Sequence, residues 1–256
     1  MVLKFEAARR PPEGPAGGPN QRQVKRALCA AFRLFAAHGF NEGVAGHVTA
    51  RDPDQPGRFW VNPFGRSYAL MLPSHLSLLG HDGTLLAGEA VNAAAFAIHA
   101  AIHKARPEVL CVAHGHPVHG KAWSTLAEPL APLDQDVCAL FGDHVVYHAP
   151  TGLVVDEREG ALIAQALGTC KAIILPNHGI LTVGHSVEEA AWWFVLLERS
   201  CQVQLLARAA GGARMRIADQ VARGIAERIG TPEFGWFQAQ PMFDEIYAHN
   251  PDLGVA

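Results

Sequence analysis

The sequence predicts an α/β domain in which helices are layered on a central sheet. Short apolar runs of strand length, such as residues 109–113 and 171–176, alternate along the chain with segments of helical periodicity. With 256 residues, of which 49% are hydrophobic, the chain is long enough to bury one full core. We therefore expect a single domain over residues 21–256, preceded by an arm.

The predicted elements follow from periodicity and from the residues that break it. Residues 1–20 include a Pro- and Gly-rich run, which predicts a flexible or partner-bound arm. The first element expected after it is a helix within 21–40 that Gly39 stops. It should be followed by a loop over 43–51, a strand over 59–62, a helix over 91–105, a strand over 109–113 and a short helix over 118–126.

Two capping boxes predict the helices of the second half. Asp156 with Glu159, and Ser186 with Glu189, have the spacing in which side chains close the first helical turn, so helices are expected from these points to about 167 and 210. The last segment, residues 211–256, is too aromatic for a free tail. We expect it to pack on the domain or on a neighbouring subunit.

Composition and charge argue against several classes of function. The net charge is −3 and no basic stripe is present, so nucleic acid is not an expected partner. Five cysteines without a Cys-x-x-Cys pair fit reduced thiols in a cytoplasmic protein. No apolar run approaches the roughly 20 residues of a membrane helix, so no membrane contact is expected. A small-molecule substrate is the remaining expectation.

Histidines at the ends of two predicted strands indicate a metal site. His114 and His116 flank Gly115, and residues i and i+2 of an extended segment point to the same side. His178 lies just beyond the strand at 171–176. Three protein ligands with open positions are typical of a catalytic metal centre, whereas structural zinc sites are usually closed by four ligands. Most of the fourteen histidines carry no such spacing signal.

Four ordered motifs resemble the class II aldolase/adducin family over about 21–210. The motifs are Gly43-x-x-Gly46-x-x-Thr49-x-Arg51, Asn62-Pro63-Phe64-Gly65, Arg106-Pro107 followed by His114-x-His116, and Asn177-His178-Gly179. The resemblance implies one αβα domain around a mostly antiparallel sheet, with a divalent metal on His114, His116 and His178. It also implies a homo-oligomer, often a tetramer, with active sites at subunit contacts, and a C-terminal segment that can close over the pocket as a lid.

The chain departs from the family pattern at several positions. Aldolases of the family have Ser-Ser-Glu where this chain has three alanines ending at Ala95, and the glutamate is their acid/base. The sugar-phosphate enzymes also have asparagine at His47 and threonine at Phe64. Phosphosugar chemistry is therefore not expected. Trp60 and Phe64, with Ala95, are candidates to contact an aromatic or prenyl group, and the alternative for the two aromatics is a place in the core.

Without the glutamate, the metal must carry more of the reaction. Three neutral imidazoles suit Lewis-acid polarisation of a carbonyl or Fe(II) chemistry with O₂. The chain resembles a family branch that also lacks the glutamate, the non-haem iron oxygenases of aminocoumarin assembly, which cleave carbon–carbon bonds in aryl keto acids. Fe(II) is therefore the favoured cofactor, with Zn, Mn or Co as alternatives. A decarboxylase or lyase, and a non-catalytic adducin-like module, are the alternative functions.

Several further side chains are candidates for the site. His47, Gln135 and Asp136 are candidates for catalysis or for orienting a ligand, although the last two could equally cap a turn. His99 and His119 are candidates to line the pocket or to pack beside it, and the His99–His103 pair has a spacing that chelates zinc in other contexts. Lys121 and Arg66 could contact a substrate carboxylate or could be surface charges.

Overall fold

The computed structural model describes residues 18–148, 157–212 and 215–254, without the side chains of residues 93–95. The strands of its sheet are β1 (His47–Arg51), β2 (Arg58–Val61), β3 (Ser77–Gly80), β4 (Leu85–Ala87), β5 (Cys111–Gly115), β6 (His144–Val146), β7 (Ala172–Leu175) and β8 (Gly179–Gly184). The α-helices are α1 (Gln21–Ala37), α2 (Ala93–Ala105), α3 (Val118–Ser124), α4 (Glu157–Leu167), α5 (Val187–Ala209), α6 (Asp219–Ile229) and α7 (Pro232–His249).

The eight strands form one sheet in the order β4-β3-β2-β1-β5-β8-β7-β6. Adjacent strands are antiparallel except β6 and β7, which are parallel. β5 lies near the middle and is paired on one side with β1 and on the other with β8. The predicted αβα fold with a mostly antiparallel sheet is therefore confirmed, and the strand that carries the paired histidines is central in it.

Helices cover both faces of the sheet. α1, α5 and α7 pack together on one face over a cluster that includes Phe32, Phe194 and Phe243. α2 and α4 pack on the other face over a cluster that includes Ile98 and Leu181. Because side chains alternate along a strand, β5, β7 and β8 each contribute to both clusters. No helix of the described residues is long and apolar enough to cross a membrane.

Capping residues set the helix ends as their chemistry requires. The Asn20 side chain accepts from the Gln23 backbone N–H, and the Gln23 side chain accepts from the Asn20 N–H, so α1 begins at the predicted point. The helix ends at residue 37 with His38 as its C-cap, directly before Gly39, the residue predicted to stop it. Ser186 caps α5 by accepting from the Glu189 N–H. Asp156, the predicted cap of α4, lies outside the described residues.

One predicted loop is a strand. Residues 43–51 were expected to be a loop, but β1 occupies their second half and pairs with both β2 and β5. His47 and Thr49 are polar yet buried, so the strand lacks the apolar alternation that identifies a half-buried strand. Their hydrogen-bond partners lie on α2, about fifty residues along the chain, and local sequence does not reveal them.

The last part of the chain is helical and packed. α7 lies against α5 and α1 and buries Trp236, Phe243 and Ile246. α6 packs on the 3₁₀ helix Val137–Leu140. The structure therefore places the described part of 211–256 on the domain. Residues 1–17 of the predicted arm lie outside the described residues.

Candidate metal centre

Three histidine rings converge where β5 and the β7–β8 turn meet. His114 lies in β5, His116 follows its last residue, and His178 lies in the turn between β7 and β8. One candidate ligand atom from each ring lies within 4.8 Å of the other two. The ring centroids are 4.7 to 5.1 Å apart. Three residues far apart in sequence thus form one compact group of nitrogen donors.

The turn that carries His178 explains the residues on either side of it. Asn177 has a positive φ of 57°, a conformation that asparagine tolerates better than most residues. A Cβ on Gly179 would lie 2.5 Å from the Gly115 carbonyl oxygen and 2.9 Å from Cδ2 of His116. Only glycine permits this approach of backbone to site. The Asn-His-Gly motif is therefore required by the geometry that brings the third ring to the other two.

Hydrogen bonding and burial prepare the rings as neutral ligands. Nδ1–H of His114 donates to the Ile180 carbonyl at 3.0 Å, which leaves Nε2 with its lone pair. Burial lowers the pKa of His114 well below 6.5, and the neighbouring imidazoles lower it further. Burial, with a contribution from His116, lowers the pKa of His178 to about 4. Metal ligation requires the neutral imidazole, so both rings have the required charge state near neutral pH.

Two buried nitrogens of the group lack a hydrogen-bond partner among the residues that the structure describes. Nε2 of His116 and Nδ1 of His178 are buried and make no hydrogen bond with the described residues. Leaving a buried polar atom unpaired costs about 1–3 kcal/mol. These unpaired nitrogens, together with the convergence of three neutral rings, fit a divalent cation. Within the described residues the group contains no carboxylate, so the three histidines are the protein ligands it offers.

His47 and His99 lie on the inner side of this group. The His47 ring centroid is 5.0 Å from that of His114, and His47 Nδ1 is 2.9 Å from His99 Nε2. His99 is fully buried on α2 and also contacts Thr49, which in turn contacts His103. His99 thus lies behind His47, as a buried partner of that residue. Sequence reasoning named Thr49 as a position of the first motif but gave it no role at the site.

His119, Lys121 and two glutamates form a polar rim. The His119 ring and backbone N–H both contact Oε1 of the buried Glu198, at 2.8 and 2.9 Å. Lys121 pairs with Glu42, and both are partly exposed. Burial lowers the pKa of His116. The Lys121 charge lowers this pKa further, and the Glu42 charge raises it by a smaller amount. An ion pair therefore acts electrostatically on the metal group from the solvent side.

The aromatic candidates lie elsewhere or on the surface. Trp60 is buried in the cluster beneath α1, on the face of the sheet opposite His47, with Lys25 Nζ 4.1 Å from its ring centroid. Phe64 is 53% exposed in the loop after β2. Ala95 lies in α2, and its side chain is outside the description. Contact of Trp60 and Phe64 with a substrate remains a prediction.

The remaining candidates are also outside the histidine group. Gln135 and Asp136 are exposed, and their carbonyls accept from Cys138 and Ala139 at the start of a 3₁₀ helix. This is the turn-capping position that the sequence allowed. Arg66 pairs with Glu89 at 2.8 Å. None of the described hydrogen bonds of these three side chains reaches the metal group, so their catalytic or substrate-binding roles remain predictions.

Fold and site together define an αβα domain with a three-histidine candidate metal group. The sequence model of the Class II Aldolase and Adducin N-terminal domain matches residues 26–205. The chain belongs to the class II aldolase/adducin family, as the motifs predicted.

Several proteins are similar to this chain in sequence or structure. The chain is 43% identical over 250 residues to 4-hydroxy-3-prenylphenylpyruvate oxygenase/4-hydroxy-3-prenylbenzoate synthase of Streptomyces roseochromogenus subsp. oscitans, which covers 96% of this chain and 90% of the relative. It is 41% identical to decarboxylase NovR of Streptomyces niveus, over 96% of this chain and 92% of the relative. A solved L-fuculose 1-phosphate aldolase from Glaciozyma antarctica PI12 has 44% identity, a TM-score of 0.85 and 91% coverage of both chains. These relatives are enzymes, and at that level the prediction of an enzyme is confirmed.

Proposed function

We propose that the protein is an Fe(II)-dependent enzyme that uses O₂ to cleave a carbon–carbon bond of a small, non-phosphorylated aromatic keto or hydroxy acid. The observation that carries this proposal is the three-histidine group, to which the described part of the chain adds no carboxylate. The similarity over almost the whole chain to a relative named as a prenylphenylpyruvate oxygenase supports the substrate class. We further propose that it acts in the cytoplasm as a homo-oligomer.

The chain's own residues supply binding, orientation and charge. His114, His116 and His178 would hold the cation as neutral ligands. When bound, a divalent cation there would supply Lewis acidity and, as Fe(II), electrons for the reduction of O₂. Lys121 offers a positive charge beside His116, which suits a substrate carboxylate. Without substrate, the Lys121 ammonium pairs with the Glu42 carboxylate.

The first test measures the metal and the requirement for oxygen together. Protein purified without added metal and under low oxygen should contain about one iron per chain by elemental analysis. With an aryl 2-keto acid, with or without a prenyl substituent, it should consume O₂ and release CO₂ in step. Equal turnover without O₂, by protein that holds zinc or manganese, would contradict the proposal.

A metal-dependent decarboxylase or aldolase-type lyase is the second candidate. Two similarities favour it, one to a relative named as a decarboxylase and one to a structure titled as an aldolase. Its cation would be Zn or Mn, and its proton acceptor would come from His47, Asp136 or a neighbouring subunit. A non-catalytic adducin-like module is less well supported, because the three histidines come together with the charge state and orientation of ligands.

Replacing Lys121 by methionine should weaken substrate binding more than turnover. Loss of a charge-assisted contact to a carboxylate costs about 1.5–3 kcal/mol, so KM for a keto acid should rise roughly tenfold or more, with a smaller change in kcat. Lys121→Arg should retain most of the affinity. Arg216→Met is the matched control, because Arg216 is exposed and pairs with Asp219 at the start of α6. An unchanged KM in Lys121→Met would remove Lys121 from the binding site.

A further inference from the structure

A continuous row of buried polar side chains leads away from the metal group. His47, whose ring contacts His114, has its Nδ1 2.9 Å from Nε2 of His99. Nδ1 of His99 is 2.8 Å from the Thr49 hydroxyl, and that hydroxyl is 2.9 Å from Nε2 of His103. All four side chains are at most 3% exposed. Three hydrogen bonds of 2.8–2.9 Å therefore connect the His47 ring, beside the metal group, to the His103 ring at the other end of the row.

The chemistry of these groups permits only two proton arrangements. A neutral imidazole has one N–H and one lone pair, and a hydroxyl donates one hydrogen bond. If His99 is protonated on Nε2, it donates to His47, Thr49 donates to His99, and His103 donates to Thr49. If His99 is protonated on Nδ1, every donor and acceptor is reversed. In each arrangement His47, His99 and His103 carry their protons on the same ring nitrogen.

The outer end of the row approaches the surface. The His103 ring is stacked on His81, with centroids 6.2 Å apart and planes inclined by 8°. His81 lines a surface cavity with Arg58 and Asp82. Nδ1 of His103 and Nε2 of His81 are buried without a well-formed hydrogen bond among the described residues, and the nearby Val109 backbone partly opposes the lowering of the His103 pKa by burial. The outer end of the row therefore has an unpaired ring nitrogen, Nδ1 of His103, and the inner end has Nε2 of His47, the ring nitrogen that the hydrogen bond to His99 does not use.

We propose that His47, His99, Thr49 and His103 form a proton relay between the metal group and the surface at His81. When Nε2 of His47 takes a proton, each of the three hydrogen bonds passes one proton outward and Nδ1 of His103 releases one. The reverse passage returns a proton to the site. One proton moves in total, and the row changes from one of its two arrangements to the other. The role of the relay in catalysis rests on the proposed function, whereas the prediction that the three histidine rings share one tautomer does not.

A purely structural role would not need this composition. The same face of the sheet is otherwise covered by apolar residues such as Ile98, Ile102 and Val112. Burying three imidazoles and a hydroxyl carries a desolvation cost that hydrogen bonds only offset. Apolar side chains of similar size would fill the same space at lower cost. A proton relay accounts for both the polar composition of this row and its course from the metal group toward solvent.

The first experiment reads the tautomers directly. Nitrogen-15 NMR of histidine-labelled, zinc-loaded protein distinguishes Nδ1–H from Nε2–H on each ring. We expect His47, His99 and His103 to share one tautomer, and we expect Thr49→Ser, which keeps the hydroxyl, to preserve that pattern. A mixed set of tautomers in the wild-type protein would overturn the relay. This measurement does not depend on which reaction the enzyme performs.

The second experiment breaks the row in its middle, away from the ligands. Thr49→Val removes the hydroxyl but keeps the shape, and it should lower kcat by about a hundredfold, the lower end of the usual range for a lost proton transfer. KM and metal content should stay close to wild type, small imidazole buffers should restore part of the rate, and Thr49→Ser should act like the wild type. Turnover is followed by CO₂ release, which reports an oxygenase or a decarboxylase. A Thr49→Val protein with wild-type kcat would overturn the relay, whereas turnover without O₂ would overturn only the proposed oxygenase.

Discussion

Replacing His178 by alanine should remove the metal and the activity while the fold is retained. His178 lies in a turn and is only partly buried, so its loss leaves no cavity in the core. Mutation of residues that merely orient a ligand costs 10–100-fold in metal affinity or activity, so loss of a ligand should cost at least about a hundredfold. Elemental analysis and turnover measure the effect, and circular dichroism checks the fold.

His249→Ala is the matched control for this prediction. His249 is exposed in the last turn of α7, on the far side of the domain from α2, and should keep its metal and activity. His114 is a less suitable position, because it is buried and also donates to the Ile180 carbonyl. A His178→Ala protein that retains one metal ion per chain would show that this group is not the metal centre.

Metal-free protein should lose stability steeply as pH falls below about 6.5. Burial lowers the pKa of His47, His99, His103 and His114 well below their ordinary 6.5, and neighbouring charges lower it further. Above 6.5 neither state is protonated at these groups and they have no effect. Below it the unfolded chain takes up protons that the folded chain does not, at about 1.4 kcal/mol per pH unit for each histidine. Four such groups amount to a large part of a typical domain's stability of about 5–15 kcal/mol.

Urea unfolding at several pH values measures this slope. The free energy of unfolding should fall between neutral pH and about pH 5.5 with little change in the denaturant dependence. His103→Asn should make the slope shallower by about one proton, whatever its effect on absolute stability. Stability that stays flat over this range would show that the buried rings are protonated in the folded state.

The fold could be predicted from sequence where local signals agree with tertiary packing. The capping residues Asn20 and Ser186 and the apolar runs of β5 and β7 carry their structure in a few adjacent residues. β1 could not be recognised, because its polar residues are buried by partners on α2. A pattern of apolar residues reveals buried positions only where the buried side chains are themselves apolar.

The candidate metal site could likewise be predicted only where short local motifs carry its geometry. His114 and His116 share a side because strand geometry has a period of two, and Asn177 and Gly179 mark the turn that carries His178. The placement of Trp60 was left open by sequence, and the structure puts it under α1, on the other face of the sheet from His47. The face of a strand residue depends on register, which is set by pairing with distant strands.

The family, the αβα layering and the three histidines of the candidate metal group could be predicted from the sequence, because periodicity and short motifs in neighbouring residues carry them. The polar groups that meet behind the site could be identified only in the folded chain, where His47 and Thr49 of β1 are joined to His99 and His103 of α2. Hydrogen bonds between residues fifty positions apart form because packing brings a helix onto a strand, and no local pattern encodes that contact.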